Sequence, residues 1–128
     1  MAEQDEVPAR LFDNTMTLEW IVLVEDFPGK AKERYETRPL HVNHIVPKTD
    51  PQTGIYTMGG ITLSEAPAMG EPLKISGVAS VIKAATREDV MNEIKQDPYY
   101  VKGIWDPSTI RIFPFICAVR SAGGYHGK

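Results

Sequence analysis

Three side chains capable of acid/base or anion chemistry follow one another at intervals of three residues: Arg38, His41 and His44. On a helix they would occupy adjacent positions along one stripe. A neutral imidazole beside a carboxylate can remove and return a proton near neutral pH, because the carboxylate orients the ring and stabilises its charged form. His41 is the first candidate for such work, against the plainer reading of a surface or capping histidine satisfied by a neighbour. The planar fork of Arg38 can fix a substrate carboxylate or an enolate oxygen, or it can bridge to an acidic neighbour such as Glu36 or Asp26. His41 and His44 could share an ion, but no third ligand and no His-Glu-x-x-His pattern accompany them, so no metal is expected. Cys117 is the only cysteine. It lies among Phe115, Ile116 and Val119, the setting of a buried, inert thiol. There is no glycine-rich phosphate loop and no dinucleotide fingerprint, so no cofactor is expected.

The segments around these residues alternate in period. Residues 18–24, Leu-Glu-Trp-Ile-Val-Leu-Val, are rich in β-branched and aromatic side chains and stop at Glu25-Asp26-Phe27-Pro28-Gly29, which predicts a strand and a turn. Across residues 30–46, Ala31, Tyr35, Arg38, Val42 and Ile45 recur every three or four positions, which predicts an amphipathic helix. Pro39 lacks a backbone donor and predicts a kink or break near Thr37. Residues 55–63 read as a strand in which Gly59 and Gly60 mark a bulge or leave room for a ligand.

After a Pro- and Gly-containing loop at residues 65–72, residues 77–84 predict a third strand. Val78, Ser80 and Ile82 share one face, and Ala79, Val81 and Lys83 the other. Thr86 and Asp89 form an imperfect capping box for a second helix, which Asp97-Pro98 should end. One further short turn is expected in residues 99–105. Residues 109–119 complete the set as a strand, where Pro114 signals an edge position or a bulge.

Strand, helix, strand, strand, helix, strand is the split βαβ order of an α+β, ferredoxin-like fold with a four-stranded antiparallel sheet and helices on one face. The other face has no helix left to cover it, which predicts a homodimer through the sheet faces. With 128 residues the chain fits one domain at residues 17–120, between an N-terminal arm at 1–16 and a tail at 121–128. A net charge of −3 with scattered Lys and Arg argues against a nucleic-acid surface. No apolar run is long enough to cross a bilayer and the first residues lack a signal-peptide pattern. With one cysteine, the expected setting is the cytoplasm.

Several stretches, in order, resemble the YCII-related family of the dimeric α/β-barrel superfamily, which also holds muconolactone isomerases. They are Val24-Glu25-Asp26, Thr37-Arg38-Pro39-Leu40-His41-Val42, Thr57-Met58-Gly59-Gly60, Gly77-Val78-Ala79-Ser80-Val81-Ile82 and Asp97-Pro98-Tyr99 before Gly103-Ile104-Trp105. The resemblance implies a homodimer with a pocket between the sheet and helices of each subunit, lined by His41 and an aspartate. It places the family's Arg-x-x-His on Arg38 and His41, its strand-end aspartate on Asp26 and its Asp-Pro-Tyr on Asp97, Pro98 and Tyr99. The carboxylate partner of His41 is then Asp26 or Asp97, although an aspartate before proline also serves simply to end a helix. Gly59, Gly60, His44, Tyr99 and Trp105 complete the candidate substrate contacts, with packing the plainer role for Tyr99 and Trp105. The implied activity is cofactor-independent acid/base chemistry on a small cyclic, aromatic or lactone molecule: isomerisation, cyclisation, dehydration or lactone opening. The alternative is a non-catalytic small-ligand-binding or accessory dimer module.

Overall fold

A computed structural model describes residues 18–121. The expected arm at 1–16 lies outside the described residues, and of the expected tail only Ser121 falls within them. Strands β1 (Glu19–Glu25), β2 (Tyr56–Leu63), β3 (Ile75–Lys83) and β4 (Arg111–Phe115) are joined by helices α1 (Ala31–Ile45), α2 (Arg87–Gln96) and the one-turn α3 (Pro98–Val101). The sheet is antiparallel with order β2-β3-β1-β4, so the chain has the ferredoxin-like α+β architecture.

Alternation along the strands sorts the side chains. Trp20, Val22 and Val24 stand opposite Ile82, Ser80 and Val78 on β3, and Val22 stands opposite Ile112 on β4. All but Ser80 join Val90 and Ile94 of α2, Tyr99 of α3, and Ile104 and Trp105 in one buried cluster. Burying an aliphatic side chain of this size contributes about 1.5–3 kcal/mol, so this face carries the core. Ile21, Leu23 and Phe113 point the other way, and Phe113 keeps 40% of its surface exposed.

Three expectations need correction. The helix does not break at Pro39: α1 is continuous from Ala31 to Ile45. Pro39 and Tyr35, whose carbonyl loses its usual donor, are both exposed, so water can replace the missing bond. The inward stripe of α1 is not the one built on Ala31 and Tyr35. Those two residues are exposed, while Arg34 and Thr37 are buried and His41 and His44 are half-buried. Finally, β4 ends at Phe115, so Cys117 lies beyond the strand. It is half-buried, with its Sγ 3.3 Å from the Val119 carbonyl oxygen. Pro114 sits on the edge strand β4, a position where proline is tolerated.

Candidate functional site

The turn after α2 builds the centre of the site. The Thr86 hydroxyl caps α2 by accepting from the Asp89 N–H at 3.1 Å. At the far end, Asp97 in extended conformation starts α3, with Pro98 in the first turn where no donor is needed. Asp97 Oδ1 accepts from the Tyr99 N–H at 2.9 Å. The same carboxylate, only 1% exposed, lies 2.8 and 2.9 Å from Nδ1 of His41. Asp97 therefore ends a helix and holds a histidine at once.

His41 is also stacked on the Tyr99 ring at 4.3 Å between centroids and meets Trp105 edge-on at 6.3 Å. Ring packing and a carboxylate on Nδ1 together fix the imidazole plane. In the neutral ring the proton bound by Asp97 sits on Nδ1, which leaves Nε2 as a bare acceptor.

A second buried pair lies one helical stripe earlier. Arg34 Nε donates to Asp26 Oδ2 at 2.7 Å, its Nη2 to the Gly77 carbonyl at 3.3 Å and its Nη1 to the Tyr99 hydroxyl at 3.4 Å. Its guanidinium lies over the Tyr99 ring, 4.5 Å from the centroid. Burial pushes the Tyr99 phenol up, with the Arg34 charge opposing that shift. Asp26, the other candidate partner of His41, is thus engaged by Arg34, while Asp97 takes the imidazole. Arg34 escaped the sequence reading, although its signal was present: residues 34, 37, 41, 44 and 48 recur at helical spacing, and a polar stripe of that kind can be an inner face.

His44 has a different environment. Its Nε2 lies 3.0 Å from Glu93 Oε2, and Lys48 Nζ reaches both oxygens of the same carboxylate at 3.0 and 2.9 Å. The Tyr56 hydroxyl donates to Glu93 at 2.9 Å, and burial, then the Glu93 charge, pushes the Tyr56 phenol far up. His44, expected to touch substrate, is placed instead in this clasp between α1, α2 and β2.

A cavity of about 1220 Å³ separates α1 from the sheet. Arg34, Arg38 and His41 line it from the helix, Val22 and Val24 from β1, and Gly59 and Gly60 from β2, with Asp97 and Trp105 beside His41. Tyr99 supports His41 from within the core and does not line this space. The structure therefore brings His41, Asp97, Arg38, Trp105 and both glycines to one cavity and leaves Asp26 and His44 outside its lining. The register shifts of β2 fall between Tyr56 and Met58 and between Thr62 and Leu63, so the glycine pair itself is not the bulge.

A ferredoxin-like α+β domain with a histidine–aspartate pair on the wall of an open cavity defines the class of this protein. No family model matches the chain. It is 34% identical over 92 residues to the derivative of benzaldehyde biosynthesis cluster protein C of Emericella nidulans, spanning 71% of this chain and 86% of that protein. The chain belongs to the family of that biosynthesis-cluster protein. It is also 30% identical over 103 residues to the aspercryptin biosynthesis cluster protein B of the same organism, covering 80% of this chain and spanning 65% of the length of that relative. Among solved structures, the 5-chloro-2-hydroxyhydroquinone dehydrochlorinase of Burkholderia phenoliruptrix, in complex with 2,5-dihydroxybenzoquinone, shares the fold. The TM-score is 0.61 at 17% identity, over 86% of this chain and 99% of that one. Among the described residues no helix is long and apolar enough to cross a membrane.

Proposed function

We propose that this protein is a cofactor-independent acid/base enzyme of small-molecule biosynthesis, acting on a cyclic, aromatic or lactone substrate by isomerisation, cyclisation, dehydration or lactone opening. The observation that carries this reading is the His41–Asp97 pair on the cavity wall: Asp97 fixes Nδ1 and Nε2 is left to take a proton from a bound molecule. As that proton moves, the imidazolium is stabilised by the buried carboxylate, and the protonated ring then returns the proton elsewhere on the substrate. Arg38, on the same cavity wall, is the cation placed to hold the oxygen on which charge develops. The two relatives named above, both biosynthesis-cluster proteins, support a small-molecule substrate, and so does a fold neighbour in complex with 2,5-dihydroxybenzoquinone. The YCII-like Arg38-to-His41 and Asp97-to-Tyr99 segments agree with it.

The experiment is proton exchange. Enolisable cyclic ketones, phenols and lactones are incubated with the protein in heavy water, and carbon-bound deuterium is followed by NMR. Wild type accelerates exchange on at least one of them, and His41→Ala abolishes the acceleration. Equal exchange by wild type and His41→Ala, or none by either, rejects the enzyme reading and leaves a ligand-binding module.

The sheet face away from the helices fits the same reading. Ile21, Leu23 and Phe113 face away from the helices, and a second copy packed there about a two-fold axis would bury them. Sedimentation equilibrium should return twice the chain mass, and a monomer at micromolar concentration refutes the dimer.

A further inference from the structure

Most glycines among the described residues are required by the backbone: Gly29, Gly70 and Gly103 by a positive φ, and Gly54 and Gly77 by lack of space. A Cβ on Gly54 would stand 2.3 Å from the Lys48 carbonyl oxygen, and one on Gly77 would stand 2.0 Å from the Val24 carbonyl oxygen. The backbone has no space for a side chain at either position, so the fold requires glycine there. Gly59 is different. A Cβ there would meet Ser80 Cβ at 3.8 Å and the Ala79 carbonyl oxygen at 4.0 Å, ordinary contacts, and its φ is not in the left-handed region. Neither backbone conformation nor packing accounts for glycine at this position, and glycine within a strand weakens it.

The cavity does account for it. Gly59 pairs with Ser80, and Ser80 with Val22, giving one row across β2, β3 and β1. The flanking rows are bulkier: Tyr56, Ile82 and Trp20 on one side, Ile61, Val78 and Val24 on the other. Because β2 is an edge strand, the Gly59–Ser80–Val22 row forms a shallow trough in the cavity floor that runs out past the sheet edge. All three of its residues line the cavity beneath α1.

We propose that this trough is the substrate bed, that it takes a planar ring system lying flat on the bare backbone of β2, and that Gly59 sets how large a ring system is admitted. The inference deepens the enzyme reading and rests on it for the identity of the pocket, but ring binding is measured without turnover. A side chain at residue 59 projects into the trough and shortens it from the open end. At Gly60 a side chain points to the opposite face, because its partner is Ala79, and meets nothing within 4 Å.

The test uses salicylate as a one-ring probe and 3-hydroxy-2-naphthoate as a two-ring probe, with affinities from NMR titration of the full chain. Wild type binds both. Gly59→Leu weakens the naphthoate by at least roughly tenfold, the size expected when a few methylenes are forced into or out of a pocket, while salicylate and the melting temperature change little. Val101→Ala, at an exposed position outside the cavity lining, leaves both affinities unchanged. If Gly59→Leu does not fold, Gly59→Ala provides the same comparison with a smaller, same-signed loss. Equal naphthoate affinity in wild type and the Gly59 variant overturns the proposal, and so does failure of wild type to bind either probe. Probe binding needs no turnover, so loss of probe affinity in the Gly59 variants bears on the trough, and loss of proton exchange in His41→Ala bears on the acid/base reading.

Discussion

One helix carries two histidine–carboxylate pairs three residues apart, and they are built for opposite ends. His41 meets Asp97 through Nδ1 at 2.8 Å and shares that carboxylate with only the Tyr99 amide, and its side chain lines the cavity. His44 meets Glu93 through Nε2 at 3.0 Å, and Lys48 and Tyr56 crowd the same carboxylate. Glu93 is thus fully occupied in tying three elements together. A histidine beside an acid is therefore not enough to make a base: what matters is which ring nitrogen is committed and whether the other meets a space a substrate can enter.

Removing either member of the first pair should produce the largest effect. In His41→Ala and Asp97→Asn, turnover of a substrate found by the exchange screen falls roughly 10²–10⁴-fold, the usual contribution of a positioned base. His44→Ala stays within a few-fold of wild type in the same assay. Comparable losses at both positions would erase the distinction between the pairs.

The second pair should dominate stability instead. Glu93→Ala removes a charged acceptor from Tyr56, Lys48 and His44 and is expected to cost about 2–3 kcal/mol in urea unfolding, in the range for hydrogen bonds to charged groups. A loss below about 0.5 kcal/mol, typical of exposed pairs, would show that the clasp does little.

Tyr56 gives the smallest and sharpest test. Its folded-state pKa is raised by burial and then by Glu93. The stability held by the neutral phenol is therefore complete below the unfolded value of about 10 and is lost as the pH rises beyond it. Wild-type stability should decline above about pH 10, and Tyr56→Phe should cost about 1 kcal/mol at neutral pH while flattening that alkaline decline. Melting temperatures between pH 8 and 11 measure both.

The architecture was legible in the sequence because hydrophobic alternation fixes strands well. Trp20, Val22 and Val24, and Val78, Ser80 and Ile82, share a face as their spacing predicts, and Asp97-Pro98 ends α2 as its composition predicts. The face of α1 was harder to read. Apolar periodicity selected Ala31 and Tyr35, whereas the inner stripe runs through Arg34, Thr37, His41 and His44. A helix that walls a polar cavity buries its polar side, so the rule that serves a core misassigns it by one residue. Spacing alone left Asp26 and Asp97 equivalent, since the choice depends on contacts spanning 56 residues for His41 with Asp97 and 8 for Arg34 with Asp26.

Asp97 also limits how this protein can change over generations. Its carboxylate both accepts from the Tyr99 N–H at the start of α3 and holds His41 Nδ1, so a longer acid such as glutamate disturbs both geometries, and asparagine loses the charge. The trough floor carries no such double obligation, because a side chain at Gly59 meets only ordinary contacts. Under the proposed function, diversification is channelled: descendants of this chain can drift in what they accept while the His41–Asp97 corner stays frozen by the turn it helps to fold.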